Sequence, residues 1–139
     1  MSSDRVDRVR EDDPALGMVV LDRDVRAPER ARRWLEGRLD GQVSARRHED
    51  AVLILSELVT NAVRHGLGAV VVRAAIDPAG GIQLSVTDSG DGAPEVQPPD
   101  PDRVGGVGLR IVAELSSRWG VASFPGGTTV WVVMDDTQG

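Results

Sequence analysis

The chain has 139 residues, 40% of them hydrophobic and none of them Cys, which describes one domain with a buried core and excludes disulfides and thiolate metal sites. A net charge of −6 and only three Trp and one Phe speak against a nucleic-acid partner, and two His alone cannot cage a zinc ion. All 16 basic residues are Arg, so the Lys of a Walker A loop and the strand Lys of a eukaryotic-type kinase are both missing.

No apolar run approaches the roughly 20 residues that span a bilayer, and the opening "MSSDRVDRVREDDP" has no apolar stretch of a signal peptide; a cytoplasmic protein without a membrane partner is expected. Residues 1–15 mix Asp, Glu and Arg with almost no apolar partner, so burial cannot offset the entropy of ordering them, and a disordered tail is expected there. Residues 16–136 are then the single domain.

"GMVVLDRD" (17–24) reads as a first strand. "APERARRWLEGRL" (27–39) reads as a helix, with Pro28 in its first turn and Ala31, Trp34, Leu35 and Leu39 along one face. Arg26, Arg30, Arg32 and Arg33 make this region strongly basic, either as a partner surface or as solvated charge.

A second helix is expected from Ser44, a plausible N-cap, to His65, with Gly66 just past its end. Within its "ILSELVTNAVRHG", Glu57, Asn61 and His65 follow at steps of four and fan across roughly 80° of the helix surface, opposite Leu55, Val59 and Ala62. One reading is the wet side of an amphipathic helix. In the other, each group has a chemical role, Asn61 offering a neutral oxygen to Mg²⁺ and Glu57 accepting a proton from an attacking hydroxyl or water. His65 either joins them or simply favours the negative end of the helix dipole.

"AVVVRAAI" (69–76) and "GIQLSVTD" pair as a hairpin across "DPAGG". The period of two puts Ile82, Leu84, Val86 and Asp88 on one face, so a carboxylate stands in line with core residues. Asp88 either closes a turn or accepts a ligand's amino group, with Gly90 and Gly92 leaving room for a flat ring. The Gly- and Pro-rich stretch 89–106 reads as a long loop, with 93–105 as a lid. In "VGGVGLRIV" glycines lead into a helix start, where backbone N–H groups can meet phosphate oxygens; hinges use the same pattern. "GLRIVAELSSRWG" (108–120) is then a helix, and "VASF" and "TTVWVVM" (128–134) a closing hairpin.

Helix Glu/Asn, strand Asp-x-Gly-x-Gly, loop and Gly-x-Gly-Leu, in that order, resemble the N, G1 and G2 boxes of the GHKL ATPase superfamily over roughly residues 17–134. Within it, the "SELVTNAVRHG" box and the ending "GGTTVWVV" look most like the small actinobacterial anti-sigma-factor serine/threonine kinases. The resemblance implies an α/β (α+β) two-layer sandwich of the Bergerat type, with a mixed, mainly antiparallel sheet, helices on one face, and ATP between the layers. It also implies Glu57 as catalytic base, Asn61 as Mg²⁺ ligand, Asp88 as acceptor of the adenine amino group, and Gly90 and Gly92 beside it. Gly106, Gly108 and Leu109 match the second glycine box at the triphosphate. Thr129 matches the Thr that helps bind adenine, with Thr128 competing for that role; His65 completes the set of binding residues.

Two departures stand out: Val107 where many actinobacterial relatives carry Arg, and Thr128 where many carry Lys. The implied function is an ATP-dependent anti-sigma-factor kinase, binding a sigma factor and phosphorylating an anti-anti-sigma protein, with a homodimer possible. The alternatives are a non-catalytic ATP-binding interaction module and a plain ATPase of the gyrase type, for whose extra coupling domains the chain has no room.

Overall fold

The computed structural model describes residues 15–89 and 104–136. In chain order these form β1 (Ala15–Leu21), α1 (Ala27–Leu39), α2 (Ala45–His65), β2 (Val70–Ile76), β3 (Ile82–Asp88), α3 (Val104–Leu115), β4 (Arg118–Phe124) and β5 (Gly127–Met134). The five strands make one sheet in the order β1-β2-β3-β5-β4, antiparallel at each of its four pairings. The three helices cover one face, which gives the expected two-layer α/β sandwich.

Period-two alternation decides which side chains enter the core. Val70, Val72 and Ala74 of β2, Ile82, Leu84 and Val86 of β3, and Val132 and Met134 of β5 are buried beneath the helices. Against them lie Ala27, Ala31, Leu35 and Leu39 of α1, and Ala51, Ile54, Leu55, Leu58, Val59 and Ala62 of α2. Among the described residues no helix covers the other sheet face, where Met18, Val20 and Trp131 are exposed. α2 is the middle helix, packed on α1, α3, β2 and β3.

Three element limits differ from the sequence reading, each for a local reason. β1 begins at Ala15, paired with Ala75, and ends at Leu21, so residue 15 belongs to the sheet and not to the tail. Asp24 then turns the chain: its Oδ1 accepts the Arg26 N–H at 2.9 Å and its carbonyl accepts the Ala27 N–H at 3.1 Å. α3 starts at Val104, four residues before the expected start, and ends at Leu115. "RWG", read as the end of that helix, is the first part of β4, where Trp119 pairs with Val132 and packs on the core. Among the described residues no helix is long and apolar enough to cross a membrane.

Candidate functional site

α2 presents its polar row at the border of its buried face. Its start is capped by Ser44, whose Oγ accepts the Arg47 N–H at 3.3 Å, and its end by the Gly66 N–H, which donates to the Ala62 carbonyl at 2.8 Å. Glu57 and Asn61 are half-buried and His65 is exposed. Buried Ile54 and Leu58 lie within roughly 60° of Asn61 around the helix axis, so the row is set by the packing of the neighbouring positions. A long helix held on three sides is a rigid support for an amide and a carboxylate.

Asp88 is the last residue of β3 and shares the helix-side face with Leu84 and Val86. It is half-buried and meets the end of α2: a methyl group on Gly66 would lie 2.6 Å from Asp88 Cγ. The next residue is tied to the same corner, because the Ser89 N–H donates to the Leu67 carbonyl at 2.8 Å. The fold thus brings the end of α2, just past His65 and about one turn beyond Asn61, to the strand end that carries Asp88.

The pairing of β3 with β5 separates the two candidate threonines. Asp88 stands opposite Thr128, and Thr87 opposite Thr129. Thr128 is therefore on the helix side with Asp88, at 7% exposure, whereas Thr129 points to the other face and shares a 2.7 Å hydrogen bond with the Thr87 hydroxyl. By this geometry Thr128 shares the face of Asp88, and Thr129 is on the opposite one. A one-residue choice on a strand is a choice of face.

The glycine boxes are only partly within the described residues. Gly90 and Gly92 lie outside them, as does 93–103 of the expected lid. Gly106, Gly108 and Leu109 fall inside α3, with Gly106 in its first turn and Gly108 in its second. The free backbone N–H groups of the helix start therefore belong to Val104, Gly105 and Gly106, and the N–H of Gly108 falls within the helical ladder. α3 packs directly on α2, so this N-terminal turn belongs to the same helical layer as Asn61.

Among the described residues no group of three or more His, Cys, Asp or Glu could enclose a metal ion. A cation held here would take oxygens from an amide such as Asn61 and from its own ligand or water, the habit of Mg²⁺ bound with phosphates. The donor set fits such an ion and does not fit zinc. Sequence reasoning took Gly66 only as a helix stop; its crowding against Asp88 appears only once α2 and β3 are packed. Gly127, whose added methyl group would lie 2.5 Å from the Asp88 carbonyl oxygen, belongs to the ending "GGTTVWVV" but had no role assigned to it there.

The profile of the histidine kinase-like ATPase domain family matches residues 9–134. None of the curated proteins matches the sequence. Among solved structures, the RsbU and RsbW domains of Rv1364c from Mycobacterium tuberculosis align with 86% of this chain at 27% identity and a TM-score of 0.66. The chain spans 32% of that protein's length. The blue-light activated histidine kinase of Erythrobacter litoralis EL346 aligns with 67% of the chain at 26% identity and a TM-score of 0.56, over 31% of its own length. The separate histidine kinase domain of the same protein aligns at 21% identity and a TM-score of 0.56, over 76% of this chain and 60% of its own, a likeness of fold.

Proposed function

Because this chain belongs to the histidine kinase-like ATPase domain family, we propose that it binds ATP with Mg²⁺ and works in the cytoplasm as an anti-sigma-factor serine/threonine kinase. It would hold a sigma factor and phosphorylate an anti-anti-sigma protein. The observation that carries the ATP reading is the corner where Gly66, at the end of α2, meets the Asp88 carboxylate, with Thr128 opposite Asp88 on β5. The kinase reading adds the likeness to a structure that includes an RsbW domain.

In this reading Asp88 accepts the adenine amino group and Thr128 supplies a hydroxyl beside it. Asn61 holds Mg²⁺, which when bound offsets negative charge on the phosphates. The free N–H groups of Val104, Gly105 and Gly106 at the α3 N-terminus offer donors to phosphate oxygens. Glu57, one turn before Asn61, takes the proton of the partner's Ser or Thr hydroxyl as that oxygen attacks the γ-phosphorus and ADP leaves. A second reading, an ATP-gated interaction module without transfer, is supported by Val107, which leaves the glycine box without a side-chain cation at that position.

The experiment has two stages. Calorimetric titration of Mg·ATP should give binding to the wild type that weakens in Asn61→Ala; no binding by the folded wild type would end both readings. Incubation with labelled ATP and an anti-anti-sigma protein should then give label transfer that Glu57→Gln abolishes. Binding without transfer in the wild type selects the interaction module.

A further inference from the structure

Two glycines crowd Asp88, one at its side chain and one at its backbone. A methyl group on Gly66 would lie 2.6 Å from Asp88 Cγ and 2.8 Å from its Oδ2, and also 2.7 Å from the Ala62 carbonyl oxygen. One on Gly127 would lie 2.5 Å from the Asp88 carbonyl oxygen. Gly66 has φ −96° and ψ −175°, extended backbone open to any residue, so it is space that demands glycine there. The neighbouring residues repeat the interlock: the Leu67 carbonyl accepts the Ser89 N–H at 2.8 Å. A side chain on Gly68, whose φ is +72°, would collide with Ser89 Cβ at 2.8 Å.

We propose that Gly66 is a positioning residue, its missing side chain being the space in which the Asp88 carboxylate is seated for a 6-amino purine. This rests on the ATP reading above. Gly66 acts through Asp88, and Gly127 leaves room on β5 for the backbone carbonyl of the same residue. A carboxylate oxygen accepts an N–H and repels a carbonyl oxygen, so the seat discriminates ATP from inosine triphosphate, which has a 6-oxo group. A Cβ at residue 66 displaces the carboxylate and erases that discrimination, leaving the phosphate contacts in place.

The test is calorimetry of Mg·ATP and Mg·ITP with the wild type, Gly66→Ala and, as a control, Gly37→Ala, a position with no atom within 4 Å of an added Cβ. In Gly66→Ala the ATP-over-ITP preference should fall by about tenfold or more, as expected for loss of a hydrogen bond to a charged acceptor, with ITP affinity changed much less. Gly37→Ala should keep the wild-type ratio. An unchanged ratio in Gly66→Ala, with ATP still bound by the wild type, overturns the seat alone. A wild type that binds neither nucleotide overturns the ATP reading and, with it, the purpose of the seat.

A urea-unfolding cycle of Gly66→Ala, Asp88→Ala and the double variant reads the contact without nucleotide. Removing the carboxylate should relieve part of the damage done by the added methyl group, so the double variant should be more stable than the sum of the singles predicts. Additive losses overturn the proposal. If Gly66→Ala does not fold, folding of the double variant supports the seat and its failure to fold overturns it.

Discussion

The hydroxyl oxygens of Thr87 and Thr129 lie 2.7 Å apart on the sheet face away from the helices, while Thr128 stands beside Asp88 on the other. Adjacent threonines therefore face opposite sides of the sheet. Thr129→Val should reduce stability by about 0.5–1.5 kcal/mol, one hydrogen bond's worth, and leave ATP affinity unchanged. Thr128→Val should weaken ATP binding. Urea unfolding and calorimetry on the two variants check this, and the opposite pattern would return the nucleotide role to Thr129.

Arg47, in the first turn of α2, donates from Nη2 to the Gly80 carbonyl at 2.7 Å and the Met134 carbonyl at 3.4 Å, and from Nη1 to the Asp135 carbonyl at 3.0 Å. It joins the helix start to the β2–β3 turn and to the end of β5. Arg47→Ala should destabilise by about 1.5–3 kcal/mol, the range for hydrogen bonds to a charged group. Lys should restore only a fraction, because an ammonium is a point charge and cannot reproduce the planar fork. Full recovery of the urea midpoint in Arg47→Lys would show that charge alone matters.

Gly37 lies inside α1 on its exposed side, where an added Cβ meets nothing within 4 Å. Gly37→Ala should stabilise by about 0.5–1 kcal/mol by reducing the freedom of the unfolded chain. A raised melting temperature is the readout. A lowered one would mean that α1 does not continue through this position.

Leu58 and Leu53 test the phase of α2. Leu58 is 1% exposed and Leu53 is 41% exposed. Leu58→Ala should cost about 2–5 kcal/mol, and Leu53→Ala no more than about 0.5 kcal/mol. Comparable losses on urea unfolding would mean that the helix is rotated from the orientation that puts Glu57 and Asn61 at the border of the core.

The limits of α1 and α2 were legible because Pro28, Ser44 and Gly66 mark them chemically, and Asp88 was legible because β3 alternates cleanly. The end of α3 was not: "ELSSRWG" offers no helix stop before Gly120, and Trp119 takes extended backbone because β5 is there to pair with it. Which of Thr128 and Thr129 shares a face with Asp88 was not legible for a related reason. Alternation relates residues within a strand, but which of two adjacent threonines faces Asp88 depends on a register set by contacts about 40 residues apart. Gly66 belongs in part to the same class, since the Ala62 carbonyl that crowds its missing side chain is in its own helix but the Asp88 carboxylate lies on another element.

The strand order has a consequence in time. β5, last of the five to leave the ribosome, ends up inside the sheet between β3 and β4. Helices α1 and α2 and strands β1 to β3 can gather earlier from shorter-range contacts, but β3 keeps an unpaired edge and Asp88 lacks its neighbour Thr128 until that strand arrives. A half-made chain would therefore have most of a core but only part of the proposed purine site, so on that proposal nucleotide binding should mature late, as the final strand closes the sheet.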